Sequence, residues 1–416
     1  MDTETVRAEV RRWLEDAWDP TITVGEWWAR LADSGWGMAG WPSEWSGRSL
    51  DERGVAAVRE EMVRAGVLGP PSGAGPLMAA PVILAYGSDE QRRRWLPALA
   101  RGEEHWCQFF SEPDAGSDLA GVKCRAVRDG DEWVVNGQKV WNSGTLLADR
   151  GILLARTDPS VAKHRGMSFF VIDVDQPGVE IRPIRQMNHR TEFNETFFTD
   201  ARVGADAMVG SPGDGWRAAL ATLSNERANF AGGGDGDLVT VEAGRKAGNL
   251  GRRVAEILGE AAGTTEMGGA NTPPVSTPAD IVELARRHGR PRDPLVRQRI
   301  AAVHAASEAL RLNGLRASAV SAAGGEPGAE RSVNYLGAVR VLREVRDLAA
   351  AIAGPAATLT GPEAPDAGDV AMTIMTVPCH GIQGGSEQIQ MNILGERVLG
   401  LPKEPQVDRD VPFERT

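Results

Sequence analysis

One carboxylate in the stretch from Leu220 to Gly234, LATLSNERANFAGGG, stands where a helix should bury hydrocarbon. Apolar residues in and just before this stretch recur at helical spacing: Trp216, Leu220, Leu223 and Phe230. Glu226 lies three residues after Leu223 and four before Phe230, so it borders the apolar stripe of the predicted helix. A carboxylate that loses solvent at such a border gains proton affinity. A glutamate at a helix surface, or a buried pair with an arginine, explains the same position without chemistry.

Three other segments could bind a ligand. CQFFSEPDAGSD (107–118) leaves a strand and enters a loop whose backbone N–H groups and serine hydroxyls could meet a planar heterocycle or a phosphate. NGQKVWNSG (136–144) follows a predicted hairpin turn and places Trp141 and Ser143 on one strand face. GIQGGSEQIQMNILGERVLGLP (381–402) opens a helix with two glycines, whose N–H groups could meet an anion. Taken singly, a polar turn, a bare hairpin and an N-cap at Ser386 explain these segments as well.

The whole chain limits the classes of function. At 416 residues it predicts two or three domains. The net charge of −11 and the lack of a basic run argue against binding to nucleic acid or an anionic membrane. We find no signal peptide and no apolar run long enough to span a membrane. Three scattered cysteines suit a reducing compartment, and six histidines without ligand spacing predict no metal site, so we expect a cytoplasmic protein.

The type of secondary structure that the hydrophobic pattern predicts changes twice along the chain, from helix to strand and back to helix. Residues 1–104 predict helices, with capping boxes at Ser49–Glu52 and Ser88–Gln91. Between 105 and 208 the hydrophobic period becomes two, and Asp129–Gly130 and Asn136–Gly137 predict tight hairpin turns. This region predicts one antiparallel β-domain, a sandwich or a barrel.

Residues 209–416 return to the helical period and predict a bundle. Helix starts are expected at Thr277–Pro278 and Asp293–Pro294, because a capping residue precedes a proline at the first turn. Further helices are predicted over 332–354 and 386–399. Residues 235–276, rich in Gly, Thr and Ala, predict a partly mobile insert with one helix at LGRRVAEILGEA.

Taken together, the order of these segments across helical, β and helical regions resembles the acyl-CoA dehydrogenase family. The resemblance covers about residues 5–405 without the insert, and SEPDAGSD and IQMNILGERVLGLP are its most specific motifs. It implies an α+β fold with an N-terminal helical domain, a central antiparallel β-domain and a C-terminal four-helix bundle. It also implies bound FAD and assembly as a homotetramer or homodimer, with a mixed tetramer as an alternative.

The resemblance also assigns residues to the cofactor. Three of them should border the flavin pyrimidine: Gln108, Phe110 and Ser111. Trp141 should lie against the isoalloxazine, Ser143 near its N5, and Ser117 towards the pyrophosphate or the CoA. Three others should approach the ribose and phosphates: Gly385, Ser386 and Gln388. Arg287 and Gln298 resemble residues that reach the FAD of a neighbouring subunit.

The reaction of this family needs a base for the acidic α-proton of an acyl thioester. Many members carry a glutamate just before the last helix, where this chain has Gly384, which keeps only a backbone N–H for the thioester carbonyl. A second group places the base on the first long helix of the C-terminal domain beside an arginine, and Glu226–Arg227 matches it. Glu387 is the runner-up base. Leu223, Ser224, Arg227 and Gly384, with Ser117, resemble substrate-binding positions.

The resemblance therefore predicts α,β-dehydrogenation of an acyl-CoA thioester, with electrons passed to an electron-transfer flavoprotein. Members with the base on this helix often accept branched, long or cyclic acyl groups. One alternative is a non-catalytic partner subunit, favoured by the glycine at position 384 and by the insert. The other is a flavin oxidase or monooxygenase on the same scaffold.

Overall fold

A computed structural model of the chain describes residues 2–231, 238–263, 272–322, 325, 330–403, 405 and 410–415. The N-terminal region is helical, as predicted: α1 (Thr3–Ala17), α2 (Val24–Ser34), α3 (Glu52–Ala65), α4 (Ala80–Tyr86) and α5 (Asp89–Ala100). Its core buries Val6, Val10 and Leu14 of α1 against Trp27 and Trp28 of α2. The two indole N–H groups donate to backbone carbonyls at 2.8 and 2.9 Å, so burial leaves neither donor unsatisfied.

One of the two predicted capping boxes is confirmed and the other is wrong. Ser88 and Gln91 form a reciprocal box at the start of α5. At α3, however, Asp51 is the N-cap and its carboxylate accepts from the N–H of Gly54 at 2.9 Å. Ser49 instead has a left-handed φ of 53° and accepts from the N–H of Ser43. An N-cap needs extended backbone geometry, which Asp51 has and Ser49 lacks.

The middle of the chain is an eight-stranded sheet: β1 (Trp106–Phe109), β2 (Arg125–Asp129), β3 (Glu132–Ser143), β4 (Arg150–Arg156), β5 (Met167–Asp173), β6 (Val179–Ile184), β7 (Phe193–Gly204) and β8 (Met208–Val209). The strand order is β6-β7-β3-β2-β4-β5-β8, with β1 beside β4. Most pairs are antiparallel, as predicted for this domain, whereas β1–β4 and β2–β4 are parallel.

One of the two predicted hairpin turns is confirmed and the other is wrong. Asp129 pairs with Glu132 across a tight turn in which Gly130 has a φ of 60°, and that turn is confirmed. Asn136–Gly137 makes no turn, because β3 runs through it with a register shift between Val135 and Gly137. A Cβ on Gly137 would lie 2.7 Å from the Cα of Cys124. The glycine therefore permits a close approach within the sheet rather than a hairpin.

The C-terminal region contains α6 (Gly215–Ala231), α8 (Pro278–Arg287), α9 (Pro294–Ala322), α10 (Glu330–Ala353), α11 (Asp369–Thr376) and α12 (Glu387–Arg397), with α7 (Val254–Gly263) between α6 and α8. The helix starts predicted after Thr277 and Asp293 are both observed. Helix α10 packs against α8, α9, α11 and α12 over a core that includes Ile281, Leu284, Val345 and Leu348.

The structure describes the predicted insert at 238–263 and 272–276, and the first of these segments packs into the N-terminal domain. Leu238, Ala243, Val254 and Ile257 are buried in the core of the N-terminal helices. Backbone hydrogen bonds join the N–H groups of Val24 and Gly25 to the carbonyls of residues 252 and 250. Residues 232–237 and 264–271 lie outside the described part of the chain. The 238–263 segment is thus an integral layer of the N-terminal domain.

Within the described ranges, no helix is long and apolar enough to cross a membrane.

Candidate active site

The ends of β1 and β3 meet at the residues predicted to border a flavin. The Phe110 ring is buried and meets Phe169 edge-on, at a centroid distance of 6.0 Å. The carbonyl of Ser111 accepts from the N–H of Val140 at 2.9 Å. The carbonyl of Gln108 accepts from Nδ2 of Asn142, also at 2.9 Å. The structure therefore brings these predicted residues into one layer beside β3.

A buried ion pair fixes the start of the SEPDAGSD loop. The Nζ of Lys139 is fully buried and donates to the Phe110 carbonyl and to Oε1 of Glu112, both at 2.8 Å. The Glu112 carboxylate also accepts from the N–H groups of Lys123 and Cys124 at 2.7 and 2.9 Å. Buried charges are tolerated when each is paired and hydrogen-bonded, as both are here. The pair therefore locks the loop onto β3.

Trp141 sits at a β-bulge with unusual backbone geometry. The pairing of β3 with β7 shifts register between Val140 and Asn142, and Trp141 has a φ of 66°. A bulky residue with positive φ is rare, and such backbone costs roughly 1–3 kcal/mol unless its surroundings enforce it. The Trp141 side chain is 58% exposed and meets Phe193 edge-on at 5.9 Å. An exposed indole on a strained bulge is a feature expected of a ligand-binding surface.

The polar groups around Trp141 fit a flavin ring. Ser143 is exposed at the end of β3, two residues after Trp141. The Nε2 of Gln108 is buried and has no hydrogen-bond partner among the described residues. A buried donor without a partner costs free energy that a bound acceptor would recover. An unsatisfied donor, a hydroxyl and an exposed indole are the groups that a planar, polar-edged heterocycle requires, so the residues present fit FAD.

Helix α6 presents Glu226 on its buried face. Gly215, Ala218, Ala219 and Thr222 are buried, and Glu226 follows Thr222 by four residues on the same face. The helix packs against β5, α4 and α10. Glu226 itself is half-buried. The carboxylate thus continues a face that the rest of the helix uses for packing.

The apolar stripe predicted for α6 is partly wrong. Leu220 is 45% exposed, whereas the small residues Ala218 and Ala219 are buried. The reason is the close approach of the helix to β5: a Cβ on Gly215 would lie 2.7 Å from the backbone of Met167. The side chain of Phe230 lies outside the described residues.

The two glycines before α12 form a turn that α10 holds in place. Gly384 and Gly385 have φ of 66° and 95°. The Tyr335 hydroxyl lies 2.7 Å from the carbonyls of both His380 and Gln383. Burial raises the pKa of Tyr335 to about 12, so the phenol stays protonated and can donate. Among the described residues, a Cβ on Gly384 would come within 4 Å of Tyr335 alone, at 3.9 Å.

The helix after the turn is capped and paired. The Ser386 hydroxyl accepts from the N–H of Ile389 as the N-cap, and Gln388 is exposed in the first turn. Both guanidinium nitrogens of Arg343 pair with the Glu387 carboxylate. Bidentate pairing holds a carboxylate in one fixed geometry. Glu387 is therefore engaged as a structural ion-pair partner, which weakens it as an alternative base.

The two positions assigned to a neighbouring subunit lie apart from the sheet. Arg287 pairs with Asp366 at 3.0 Å, and the same carboxylate contacts Nε2 of His288 at 2.6 Å. Gln298 is exposed on α9. Arg287 is 44% exposed despite its pairing, so part of its guanidinium faces solvent on the bundle surface.

The remaining substrate candidates spread over two elements. Ser117 is exposed in the loop after β1. Leu223 packs against the core of the β-domain from α6, and Ser224 beside it is exposed. The side chain of Arg227 falls outside the described residues. A separate contact links the sheet to the C-terminal helices: Nδ2 of Asn188, between β6 and β7, donates to the hydroxyl of Thr376 in α11 at 3.2 Å.

The sequence did not predict the residues whose hydrogen bonds hold the candidate site residues in place. Lys139 lies in a quoted motif, but a lysine on a strand is normally solvated, and its partner Glu112 is 27 residues away. Tyr335 and Asn142 were missed for the same reason, since their contacts are long-range.

No group of three or more His, Cys, Asp or Glu side chains that could hold a metal ion occurs among the residues described.

Three family models match the chain: acyl-CoA dehydrogenase N-terminal domain at residues 2–103, middle domain at 107–201 and C-terminal domain at 280–399. Acyl-CoA dehydrogenase IpdE1 of Mycobacterium tuberculosis is 36% identical over 97% of this chain and 99% of its own length.

Two solved structures extend the comparison. The structure titled Tcur3481-Tcur3483 steroid ACAD is 25% identical, with a TM-score of 0.70 over 97% of this chain and all of the other. The ChsE4-ChsE5 complex from M. tuberculosis is 27% identical, with a TM-score of 0.67 over 97% of this chain and 98% of the other. The predicted α+β architecture is confirmed by these matches.

Proposed function

The chain belongs to the acyl-CoA dehydrogenase family, and we propose that it uses FAD to introduce a double bond between the α and β carbons of an acyl-CoA thioester. The observation that carries this proposal is the position of Glu226, half-buried on the packing face of α6 in a chain with glycine at position 384. A glycine has no proton acceptor in its side chain, so another carboxylate must serve.

Glu226 is the proposed base. Its carboxylate takes the α-proton as the α C–H bond breaks, from a half-buried position on the packing face of α6. FAD, when bound, supplies the acceptor for the hydride that leaves the β carbon. Gln108, Trp141 and Ser143 would hold the flavin, because they offer the unsatisfied donor, the exposed ring and the hydroxyl described above.

The glycine turn has the second chemical role. The backbone N–H of Gly384 would donate to the thioester carbonyl and stabilise negative charge as the α-proton leaves. A rigid donor is worth more than a mobile one, since no reorganisation occurs during the reaction. Tyr335 supplies that rigidity through its contacts with the carbonyls at 380 and 383.

We assign a bulky acyl group, branched or cyclic, as the substrate class. Among the described residues, a Cβ at Gly384 would approach Tyr335 alone, which leaves room beside this position. A base that acts from α6 leaves this volume to the substrate. The similar Tcur3481-Tcur3483 protein is titled a steroid ACAD, which agrees with a ring-containing acyl group.

We further propose that the chain works as an oligomer and passes electrons to an electron-transfer flavoprotein. Large apolar side chains around α12 are strongly exposed: Ile382 (72%), Met391 (53%), Val398 (55%) and Leu399 (71%). Exposed apolar patches of this kind mark protein contacts. The similar ChsE4-ChsE5 structure is a complex of two named chains, so a mixed oligomer is included with the homotetramer and homodimer.

A specific observation favours a second candidate, a non-catalytic partner subunit. Gly384 stands where many members of the family carry the base, and a glycine has no side-chain proton acceptor. A chain of this kind suits a subunit that completes a mixed oligomer without reacting itself.

Anaerobic titration of the purified protein with acyl-CoA thioesters tests the proposal. We expect bound FAD whose main absorption band bleaches with a cyclic or branched acyl-CoA and responds less to a straight-chain one. Peroxide formation in air would favour the oxidase alternative. Protein that stays colourless and cannot be reconstituted with FAD would refute the dehydrogenase and support the partner subunit.

A further inference from the structure

The 238–263 segment lies between the residues matched by the middle and C-terminal family models, which end at 201 and begin at 280. It is anchored in the core of the N-terminal helices, as described above. It also reaches a second domain, because Lys246 extends from it to the β-domain. The proposed reaction assigns no role to this segment.

Lys246 joins the segment to two parts of the sheet. Its Nζ donates to the carbonyl of Ala148 at 2.7 Å and lies 2.6 Å from the Asp175 carboxylate. Ala148 is fully buried, whereas the Asp175 side chain is 72% exposed. The bond to Ala148 is therefore the contact that solvent screens least. It fixes the end of the turn that begins just after Ser143.

His105 fills the space between the segment and the start of that turn. The ring is buried, and its Nδ1 lies 3.4 Å from Oε2 of Glu242. A Cβ on Gly144 would lie 2.6 Å from Nε2 of His105, and a Cβ on Gly244 would lie 2.7 Å from its Cβ. The imidazole is thus held between a glycine of the segment and the glycine that follows Ser143.

The turn also has supports from its own domain: the Ala148 N–H donates to the Thr145 carbonyl at 3.1 Å, and the Val174 N–H donates to the Asp149 carbonyl at 3.0 Å. The Leu147 N–H donates to the Gly144 carbonyl at 3.0 Å, and the Asp149 N–H donates to the His105 carbonyl at 2.8 Å. Residues 145–147 form a single turn of 3₁₀-helix. Short 3₁₀ turns have poor hydrogen-bond geometry. To these contacts the 238–263 segment adds the hydrogen bond from Lys246 to the Ala148 carbonyl.

We propose that the 238–263 segment is an interdomain clamp that sets the position of the 144–149 turn, with Lys246 as a positioning residue for Ser143 at the flavin edge. The part that concerns the flavin rests on the proposed function. The mechanical part, that the segment orders the turn, stands on the contacts of Lys246 and His105 alone.

The test replaces Lys246 by Met in the full-length protein and uses Arg245→Met as the matched control. Arg245 lies on the same short turn, is 76% exposed and has only a 3.5 Å contact with Glu103. Hydrogen exchange of the amides in 144–149 should become about tenfold faster in Lys246→Met, the effect of losing one net charged hydrogen bond, and stay unchanged in the control. Lys246→Arg should restore slow exchange.

A second readout uses the FAD-loaded protein. Flavin reduction by a reactive acyl-CoA should slow about tenfold in Lys246→Met with KM unchanged, because a displaced positioning group affects the chemical step more than substrate binding. Asp175→Asn removes the ion pair without altering the segment, and its effect should have the same direction and a smaller size.

The outcomes separate the two claims. Unchanged exchange in Lys246→Met would overturn the clamp whether or not flavin is bound. Faster exchange with an unaltered reduction rate and flavin spectrum would overturn the positioning role of Lys246. The third outcome is faster exchange in Lys246→Met together with a wild-type protein whose flavin is not reduced by any acyl-CoA. This outcome would support the mechanical clamp and refute the proposed function.

Discussion

Lys139→Met is the most informative stability test, because it breaks an ion pair that the structure buries almost completely. Lys139 is 0% and Glu112 8% exposed. Removing one partner of such a pair typically costs about 3–5 kcal/mol, because the other charge stays buried. Glu112 would keep its two backbone N–H donors, from Lys123 and Cys124. These retained hydrogen bonds place the expected loss near the lower end, at about 3 kcal/mol.

Urea denaturation of the variant, followed by circular dichroism, measures this loss. The Lys139→Met, Glu112→Gln double variant should recover much of it, since no unpaired charge then remains in the interior. Arg93→Met is the control, because it removes an exposed ion pair. The contact of Arg93 with Glu90 is solvated, so its loss should lower the unfolding free energy by less than about 1 kcal/mol. A loss below about 1 kcal/mol for Lys139→Met would refute the view that this pair is desolvated and locks the loop onto β3.

Three further predictions follow from other parts of the chain. Trp141→Ala should cost little stability because the ring is 58% exposed, but should weaken FAD binding at least about tenfold in a fluorescence titration; unchanged affinity would remove Trp141 from the flavin site. Burial raises the pKa of Cys107 to about 12 and of Cys124 to about 11. At pH 8 their thiolate fractions are about 10⁻⁴ and 10⁻³, so mass spectrometry after alkylation of folded protein should find Cys379 modified first. Burial works to raise the pKa of Glu61, but hydrogen bonds from two arginines outweigh it and hold the pKa below its ordinary value. The stability this carboxylate provides is complete above its unfolded pKa of about 4.3 and is lost as pH falls through the folded value. Glu61→Gln should therefore lower the unfolding free energy by about 2 kcal/mol at pH 7 and flatten its decline in acid, and equal acid sensitivity in both proteins would contradict this.

Local signals in the sequence predicted the elements well where the deciding interaction is itself local. The helix starts after Thr277 and Asp293 are confirmed, because a cap and a following proline act within one turn. The turn at Asp129–Gly130 is confirmed for the same reason. The resemblance to a family, carried by SEPDAGSD and IQMNILGERVLGLP, supplied the domain architecture that such signals cannot reach.

The sequence-based predictions are wrong where a contact with a residue distant in the sequence decides the structure. Gly137 reads as a turn glycine, but it is needed because Cys124, just before β2, approaches it closely. Leu220 reads as a buried residue, but the close approach of α6 to β5 selects alanines for the interface. Lys139 reads as a solvated lysine in the sequence, but in the fold it forms a buried ion pair with Glu112. The assignments of Gln108, Trp141, Ser143, Glu226 and the glycine turn to cofactor and substrate stay predictions, since contacts within the chain do not test them.

Anaerobic stopped-flow reduction of the Glu226→Gln protein tests the central claim most directly. The substitution keeps the size of the side chain and removes its proton-accepting carboxylate, and the exposed Glu344→Gln on α10 serves as the control. We expect Glu226→Gln to retain FAD and to lose flavin reduction by an acyl-CoA more than about 10²-fold, the usual size of a lost general base. A reduction rate equal to that of the wild type would show that another group takes the α-proton.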